Sequence, residues 1–235
     1  MSLDINGGGI MHNGNGSADQ SIVRLHREGR REESLRRFVE EYQSRLYLLS
    51  YRMLGNHDDA MDALQEILMH VDKSLPRFKG DSSLYTWAYR LGANVCFNLR
   101  RKIDPMNNHT ELNTEMPDTV LMPVERPDEN PDEMCKTRFK KYLVHRALLK
   151  LPETQRIVLV LHDLEEMSSP EVAGILCIDA NAVKSRLHRA RAMFKNTISE
   201  YFQMHGVEEN DILSSDCTRE YLTAAPGSES TQLST

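Results

Sequence analysis

The chain has 235 residues, a formal net charge of −6, 40% hydrophobic and only 6% aromatic content. That is enough apolar material for one core or two small ones. No apolar run approaches the roughly 18 residues that suggest a membrane span. The first twenty residues lack the basic and apolar segments of a signal peptide, so a helical, cytoplasmic protein with no membrane insertion is expected.

Residues 1–20 are rich in Gly, Asn and Ser and read as a disordered N-terminal segment. Residues 21–102 are strongly periodic. In "SLRRFVEEYQSRLYLLSYRMLGN", Leu35, Phe38, Val39, Tyr42, Leu46, Leu49 and Met53 fall on one helical face, and Gly55 is placed to end the helix. Asn56 can cap a second helix, with Asp58 and Asp59 in its positive first turn. There Ala60, Leu64, Ile67, Leu68 and Val71 face inward, and Asp58, Asp62, Gln65 and Met69 make a mostly polar stripe.

The loop "KSLPRFKGDSS" leads to a third helix, "SLYTWAYRLGANVCFNLRRK". Leu84, Trp87, Ala88, Leu91 and Val95 share its inward face. Tyr85 and Tyr89 lie on one flank; Arg90, Asn94 and Arg101 lie on another. Rings interleaved with cations suit unpaired DNA, because rings stack on bases while cations follow phosphates. Spacing assigns Trp87 to the core and leaves Phe78, Tyr85 and Tyr89 open to either core or surface.

Residues 103–136 carry repeated prolines and no sustained period, so they read as a linker. Residues 137–202 are periodic again. A helix follows Pro152 and runs apolar through Leu161. A short helix spans Ser169 to Leu176, with Ser168 or Ser169 as its cap. A tight turn at Cys177 precedes a long helix from about Ala180. This is helix-turn-helix spacing. On the long helix Val183, Leu187, Ala190 and Phe194 form the buried stripe. Lys184, His188, Arg191 and Lys195 form a cationic one, with Arg186 and Arg189 nearby. Such a helix fits the major groove of duplex DNA. Residues 203–235 read as a polar tail, in which "DILSSDCTREYL" has the makings of a short amphipathic helix.

Charge is unevenly spread. Residues 21–102 hold fifteen basic and eleven acidic side chains, residues 137–202 eleven and seven, and the remainder three and seventeen. Two basic units are thus joined and flanked by acidic segments, and the global charge is a poor guide to the partner. Cys96, Cys135, Cys177 and Cys217 include no CxxC pair, which argues against structural zinc or a disulfide framework. Cys96 and Cys177 read as small buried apolar residues. With no phosphate-binding glycine loop, no HExxH and no GxSxG, neither a catalytic residue, a metal nor any other cofactor is expected.

These residues resemble the extracytoplasmic-function sigma factors of bacterial RNA polymerase, the small group of the sigma-70 family. "DDAMDALQEILM" is similar to that family's polymerase-binding segment, "RFKGDSSLYTWAYRLGANVCFNLRRK" to its minus-ten segment, and "LPETQRIVLVLHDLEEMSSPEVAGILCIDANAVKSRLHRAR" to its minus-thirty-five-binding domain. The resemblance implies an all-α protein of two small helical domains joined by a flexible acidic linker. It implies an alternative sigma factor that binds core RNA polymerase and promoter DNA, both double- and single-stranded, and that meets an anti-sigma factor. Asp58, Asp62, Gln65 and Glu66 would meet polymerase. Phe78, Lys79, Tyr85, Tyr89, Arg90, Asn94 and Arg101 would meet the minus-ten element, with Phe78, its loop and Asn94 holding a flipped base and Tyr89 supporting that pocket. Asn181, Lys184, Ser185, His188 and Arg189 would meet the minus-thirty-five element. The alternative is a helix-turn-helix repressor or activator that binds duplex DNA alone; it leaves the third helix and the acidic second-helix face unexplained.

Overall fold

A computed structural model describes residues 16–103 and 142–205, and the described part is helical throughout, without strands. The first unit comprises α1 (Gly16–Arg27), α2 (Arg31–Leu54), α3 (His57–Ser74) with a 3₁₀ turn at Leu75–Arg77, and α4 (Leu84–Ile103). The second comprises α5 (residues 142–150), α6 (Glu153–Leu159), a π turn at Val160–Leu164, α7 (Ser169–Leu176) and α8 (Ala180–His205). The expected linker, and the tail beyond His205 with its amphipathic stretch, lie outside the described residues.

Helix α1 begins inside the segment expected to be disordered. Its polar composition hides two anchors, Ile22 and Leu25, which are buried. The Tyr42 hydroxyl donates to Asp19 at 2.5 Å, and the buried Ser34 hydroxyl donates to the Ile22 carbonyl at 2.8 Å. Burial pushes the Asp19 carboxyl above its ordinary value, against the hydrogen bond from Tyr42.

Local signals set the α2–α3 corner. Gly55 takes φ 99°, the left-handed region glycine tolerates, and its N–H closes on the Tyr51 carbonyl. The Asn56 side chain then accepts the Asp59 N–H at 2.8 Å and starts α3. The first core follows the helical stripes: Phe38, Tyr42, Leu46, Leu49 and Met53 from α2, Ala60, Leu64, Ile67 and Val71 from α3, and Leu84, Ala88 and Val95 from α4 are buried. Leu35, Val39, Leu68, Trp87 and Leu91 are only partly so. Trp87 instead sits edge-on to Phe38 at the rim.

In the second unit, Ser168 and Glu171 form a reciprocal capping box at the start of α7, with Pro170 in the first turn. Cys177 ends α7 at φ 53°, ψ 45°. The expectation that Cys177 is buried is corrected here: a left-handed turn residue projects away from both helices, and Cys177 is exposed, whereas Cys96 is buried. Asp179 accepts the Asn181 N–H at 2.7 Å as α8 begins. Val183, Leu187, Ala190, Phe194, Ile198 and Phe202 are buried along α8.

The two units are docked, and their buried apolar residues form one continuous cluster. Arg156 joins them. It is 2% exposed, and its guanidinium donates to the carbonyls of Leu148, Leu149 and Leu151 at the end of α5 and of Met53 at the end of α2. Those carbonyls lie at or just past helix ends, where acceptors outnumber backbone donors, although the Leu148 carbonyl also takes the Leu151 N–H at 3.2 Å; a cation suits the negative end of each helix. Beside it, the Tyr51 and His145 rings stack at 4.5 Å across the same junction.

Candidate nucleic-acid interface

Three surfaces carry the residues singled out by sequence. On α8, Asn181, Lys184, Ser185, His188 and Arg189 are all exposed, on the side away from buried Val183, Leu187 and Ala190. Arg189 bonds only within its own helix, to the Ser185 hydroxyl at 2.7 Å and the Ser185 carbonyl at 3.4 Å. The basic stripe is shorter than its sequence implies. Arg191 grips Asp163 with two bonds, at 2.8 and 2.6 Å, so its charge is partnered by the π turn. Burial pushes the Asp163 carboxyl up, but hydrogen bonds from Arg191 and His162 outweigh it and hold the group below its ordinary value.

On α3, Asp58, Asp62 and Gln65 are exposed and Glu66 is half-exposed. Asp62, Gln65 and Glu66, with Met69, 58% exposed, edge an open groove of about 460 Å³ that Lys102 closes from the end of α4; Asp58 lies outside it. A groove that sets Asp62 and Glu66 beside exposed Met69, with Lys73 and Lys102 also in its lining, can take a charged, partly apolar protein surface.

The third surface is α4 and the loop before it. Lys79, Asn94 and Arg101 are exposed. Phe78 is partly buried, its ring 5.4 Å from Trp87. Beside it an open groove of about 560 Å³ runs between α1 and the loop, lined by Asp19, Arg24, Arg27, Phe78 and Ser83 among others. The alternatives that spacing left open for the two tyrosines are resolved by burial: Tyr85 packs against Tyr42, Arg45 and Tyr89 of the first unit, and Tyr89 also meets the second unit. Tyr85 is 8% exposed and Tyr89 is fully buried, their rings 4.5 Å apart. The Tyr89 hydroxyl donates to Glu165 at 2.5 Å, and Arg90 donates to the Gly174 carbonyl of α7 at 2.5 Å. Burial pushes the Tyr89 phenol well above its ordinary value, with the Glu165 charge adding to the effect. Tyr85 is pushed up to about 12 by burial, again with Glu165.

Sequence reasoning missed the centre of this network. Glu165 also accepts from Arg52 at 2.6 Å, and the two side chains are 11% and 5% exposed. The π turn and the left-handed Glu166, at φ 55°, bracket Glu165 and turn it toward the first unit. The available signals were an arginine amid the apolar end of α2, Arg52, and a Glu pair directly before a capping box. Among the described residues no cluster of His, Cys, Asp and Glu could hold a metal ion, and no helix is long and apolar enough to cross a membrane.

Comparisons with known proteins bear on the same segments. Residues 38–104 match the family model described as Sigma-70 region 2, and residues 141–194 match Sigma-70, region 4. The chain is 31% identical over 181 residues to the RNA polymerase sigma-H factor of Pseudomonas aeruginosa, covering 74% of this chain and 90% of that protein. It is 28% identical over 166 residues to the ECF RNA polymerase sigma factor SigW of Bacillus subtilis, covering 69% and 87%. Its fold is similar to that of the sigma factor RpoE of Bartonella quintana, solved in complex with the anti-sigma factor NepR. The TM-score is 0.53 at 19% identity, over 70% of this chain and 96% of that one.

Proposed function

The chain belongs to the extracytoplasmic-function group of the sigma-70 family, and on that premise we propose how its surfaces share the work of an alternative sigma factor that directs transcription initiation. The α3 face of Asp58, Asp62, Gln65 and Glu66 docks on core RNA polymerase. The exposed start of α8 reads the minus-thirty-five element, with Asn181, Lys184, Ser185 and His188 near base edges and Arg189 on phosphate. Phe78, Lys79, Asn94 and Arg101 engage the minus-ten element and its unpaired strand, with buried Tyr85 and Tyr89 supporting that pocket from behind and Arg90 at its edge.

The observation that carries the reading is the two-sided character of α8. One stripe is buried in the second unit, and the opposite side presents Lys184, His188 and Arg189 to solvent in a chain whose units match regions 2 and 4 in order. The protein works in the cytoplasm and contributes no catalysis of its own; bond formation belongs to the polymerase it loads. An anti-sigma factor is a partner, a reading supported by the Bartonella quintana relative, whose structure holds one.

The test is reconstitution. Purified chain and core polymerase are incubated with genomic DNA fragments, and transcript starts are mapped. Defined new starts are expected, and Asp62→Lys should reduce them at least about tenfold while leaving DNA binding by the free chain intact. Absence of any chain-dependent start would overturn the reading in favour of a repressor or activator that acts on duplex DNA alone.

A further inference from the structure

Lys184, His188, Arg191 and Lys195 lie on one exposed stripe of α8. Arg191 stands two turns beyond Lys184, about 10 Å along the axis at about 1.5 Å per residue. By spacing alone it belongs with the cations that follow phosphates past the base-reading start of the helix. Its contacts take it out of that set. Its Nε and Nη2 donate to the two carboxylate oxygens of Asp163 at 2.8 and 2.6 Å, and the His162 Nδ1 lies 2.8 Å from the same Oδ1. Asp163 reaches α8 from the π turn that ends α6.

We infer that Asp163 is a specificity-determining residue of the duplex-reading face: it holds Arg191 away from phosphate and so keeps binding to unrelated duplex low. The inference rests on the reading of α8 as the duplex-binding helix. Most exposed ion pairs count for little, because two long side chains must be ordered in water. This pair differs in two respects. The guanidinium grips both oxygens, the geometry in which arginine and carboxylate match best. The Asp163 side chain is also only 26% exposed, against 55% for Arg191, so it cannot regain full hydration when Arg191 leaves. Release of Arg191 to a phosphate would leave a partly buried carboxylate facing a polyanion.

Non-specific duplex binding follows the number of phosphates neutralised, whereas base contacts add the sequence preference. On unrelated sequence α8 has no fixed register, and each free cation settles on its nearest phosphate. On the minus-thirty-five element, base contacts at the start of α8 pin the register, so a further cation two turns on gains less. A freed Arg191 therefore raises non-specific affinity more than specific affinity. A genome presents unrelated duplex in large excess, so a carboxylate that withholds one cation favours the correct site.

The experiment uses the full chain and two fluorescent twenty-base-pair duplexes, one of random sequence and one carrying the minus-thirty-five element found upstream of a mapped start. Anisotropy across a salt series gives affinities for the parent, Asp163→Asn, the double variant that adds Arg191→Ala, and Glu200→Gln. The last alters net charge as Asp163→Asn does, at an exposed position of α8 outside the stripe. Asp163→Asn should steepen the salt dependence on random duplex by about 0.9 and tighten that binding several-fold at about 0.1 M salt. Its preference for the minus-thirty-five duplex should fall. The double variant keeps the parent's net charge and should return to the parent's slope, and Glu200→Gln should leave the slope unchanged. An unchanged slope or an undiminished preference in Asp163→Asn would overturn the inference. So would a double-variant slope about one ion below the parent's, the mark of an Arg191 already on phosphate, or a Glu200→Gln effect equal to that of Asp163→Asn, the mark of net charge alone. Should Asp163→Asn lose its helical signal by circular dichroism, Arg191→Ala decides: the parent's slope supports the inference, and loss of about one ion overturns it. A parent chain that binds both duplexes equally counts against the minus-thirty-five reading, while the slopes on random duplex speak only to Asp163.

Discussion

The Arg156 guanidinium donates to the Met53 carbonyl at 2.5 Å, across 103 positions of sequence, and so ties the end of α2 to the start of α6. Burial pushes this arginine down to about 9, with the charge of Arg100 acting the same way, yet it remains a cation at neutral pH. Its partners are backbone oxygens, so no carboxylate has to be buried with it. The same oxygens become a liability when the arginine is removed.

Arg156→Met should therefore lower unfolding stability by about 2–4 kcal/mol, because the buried carbonyls of Met53, Leu149 and Leu151 lose the guanidinium donor and Leu148 keeps only the Leu151 N–H. Arg156→Lys should recover only part of that loss, since an ammonium cannot span the fork. Urea unfolding of the three proteins measures both differences.

Gly55→Ala should destabilise by about 1–2 kcal/mol. Glycine here has φ 99°, which an L side chain rarely adopts, and an added Cβ would stand 2.8 Å from Leu149 Cδ1 of the second unit. The loss combines strain at the α2 cap with pressure on the interdomain contact. Thermal unfolding should show a lower midpoint, and hydrogen exchange should rise at the end of α2 and in α5 together.

His145 sets an acid limit. It is largely enclosed, and burial pulls its imidazole down to about 4. A hydrogen bond to the Gly55 carbonyl opposes this, and the charges of Arg156, Arg52 and Arg146 reinforce it. The unfolded chain takes up this proton near pH 6.5 and the folded one does not. Stability is thus complete above about pH 6.5 and declines as pH falls toward 4, by at most about 2 kcal/mol at pH 5. His145→Phe should keep ring stacking on Tyr51 and flatten the stability profile between those values.

Arg189→Ala should leave folding unchanged, since the side chain is exposed and bonds only to Ser185 of its own helix. Affinity for minus-thirty-five duplex should fall, and the salt dependence of binding should drop by about one ion. Asn94→Ala should leave duplex affinity intact and slow promoter opening, followed by permanganate reactivity of unpaired thymines. Equal effects of both changes on both steps would contradict the assigned division between α8 and α4.

Cys177→Gly should raise stability by about 0.5–1 kcal/mol. The left-handed turn costs an L residue about 1–2 kcal/mol, and glycine gives back part of the gain through its looser unfolded chain. The side chain is exposed, so no packing is lost. Denaturant midpoints of the two proteins provide the comparison.

Much of this architecture was legible in the amino-acid order, because it rests on short-range physics. Helical periodicity marked the buried stripes of α2, α3 and α8. Gly55, Asn56 and Ser168 announced helix ends through backbone freedom and capping, each acting within a few residues. The exposed basic side of α8 followed from the same stripes, since burying one side leaves the other to solvent. Polar composition misled only at the chain's start, where two apolar anchors are enough to dock α1.

Tertiary structure alone decided what lies between the units. The partner of the Tyr89 hydroxyl is Glu165, 76 positions away, which periodicity cannot weigh. The placement of Arg52 and Arg156 likewise depends on acceptors from other elements. A local pattern specifies which side of a helix is apolar, whereas the occupant of the remaining surface is chosen by partners that sequence spacing does not bring together.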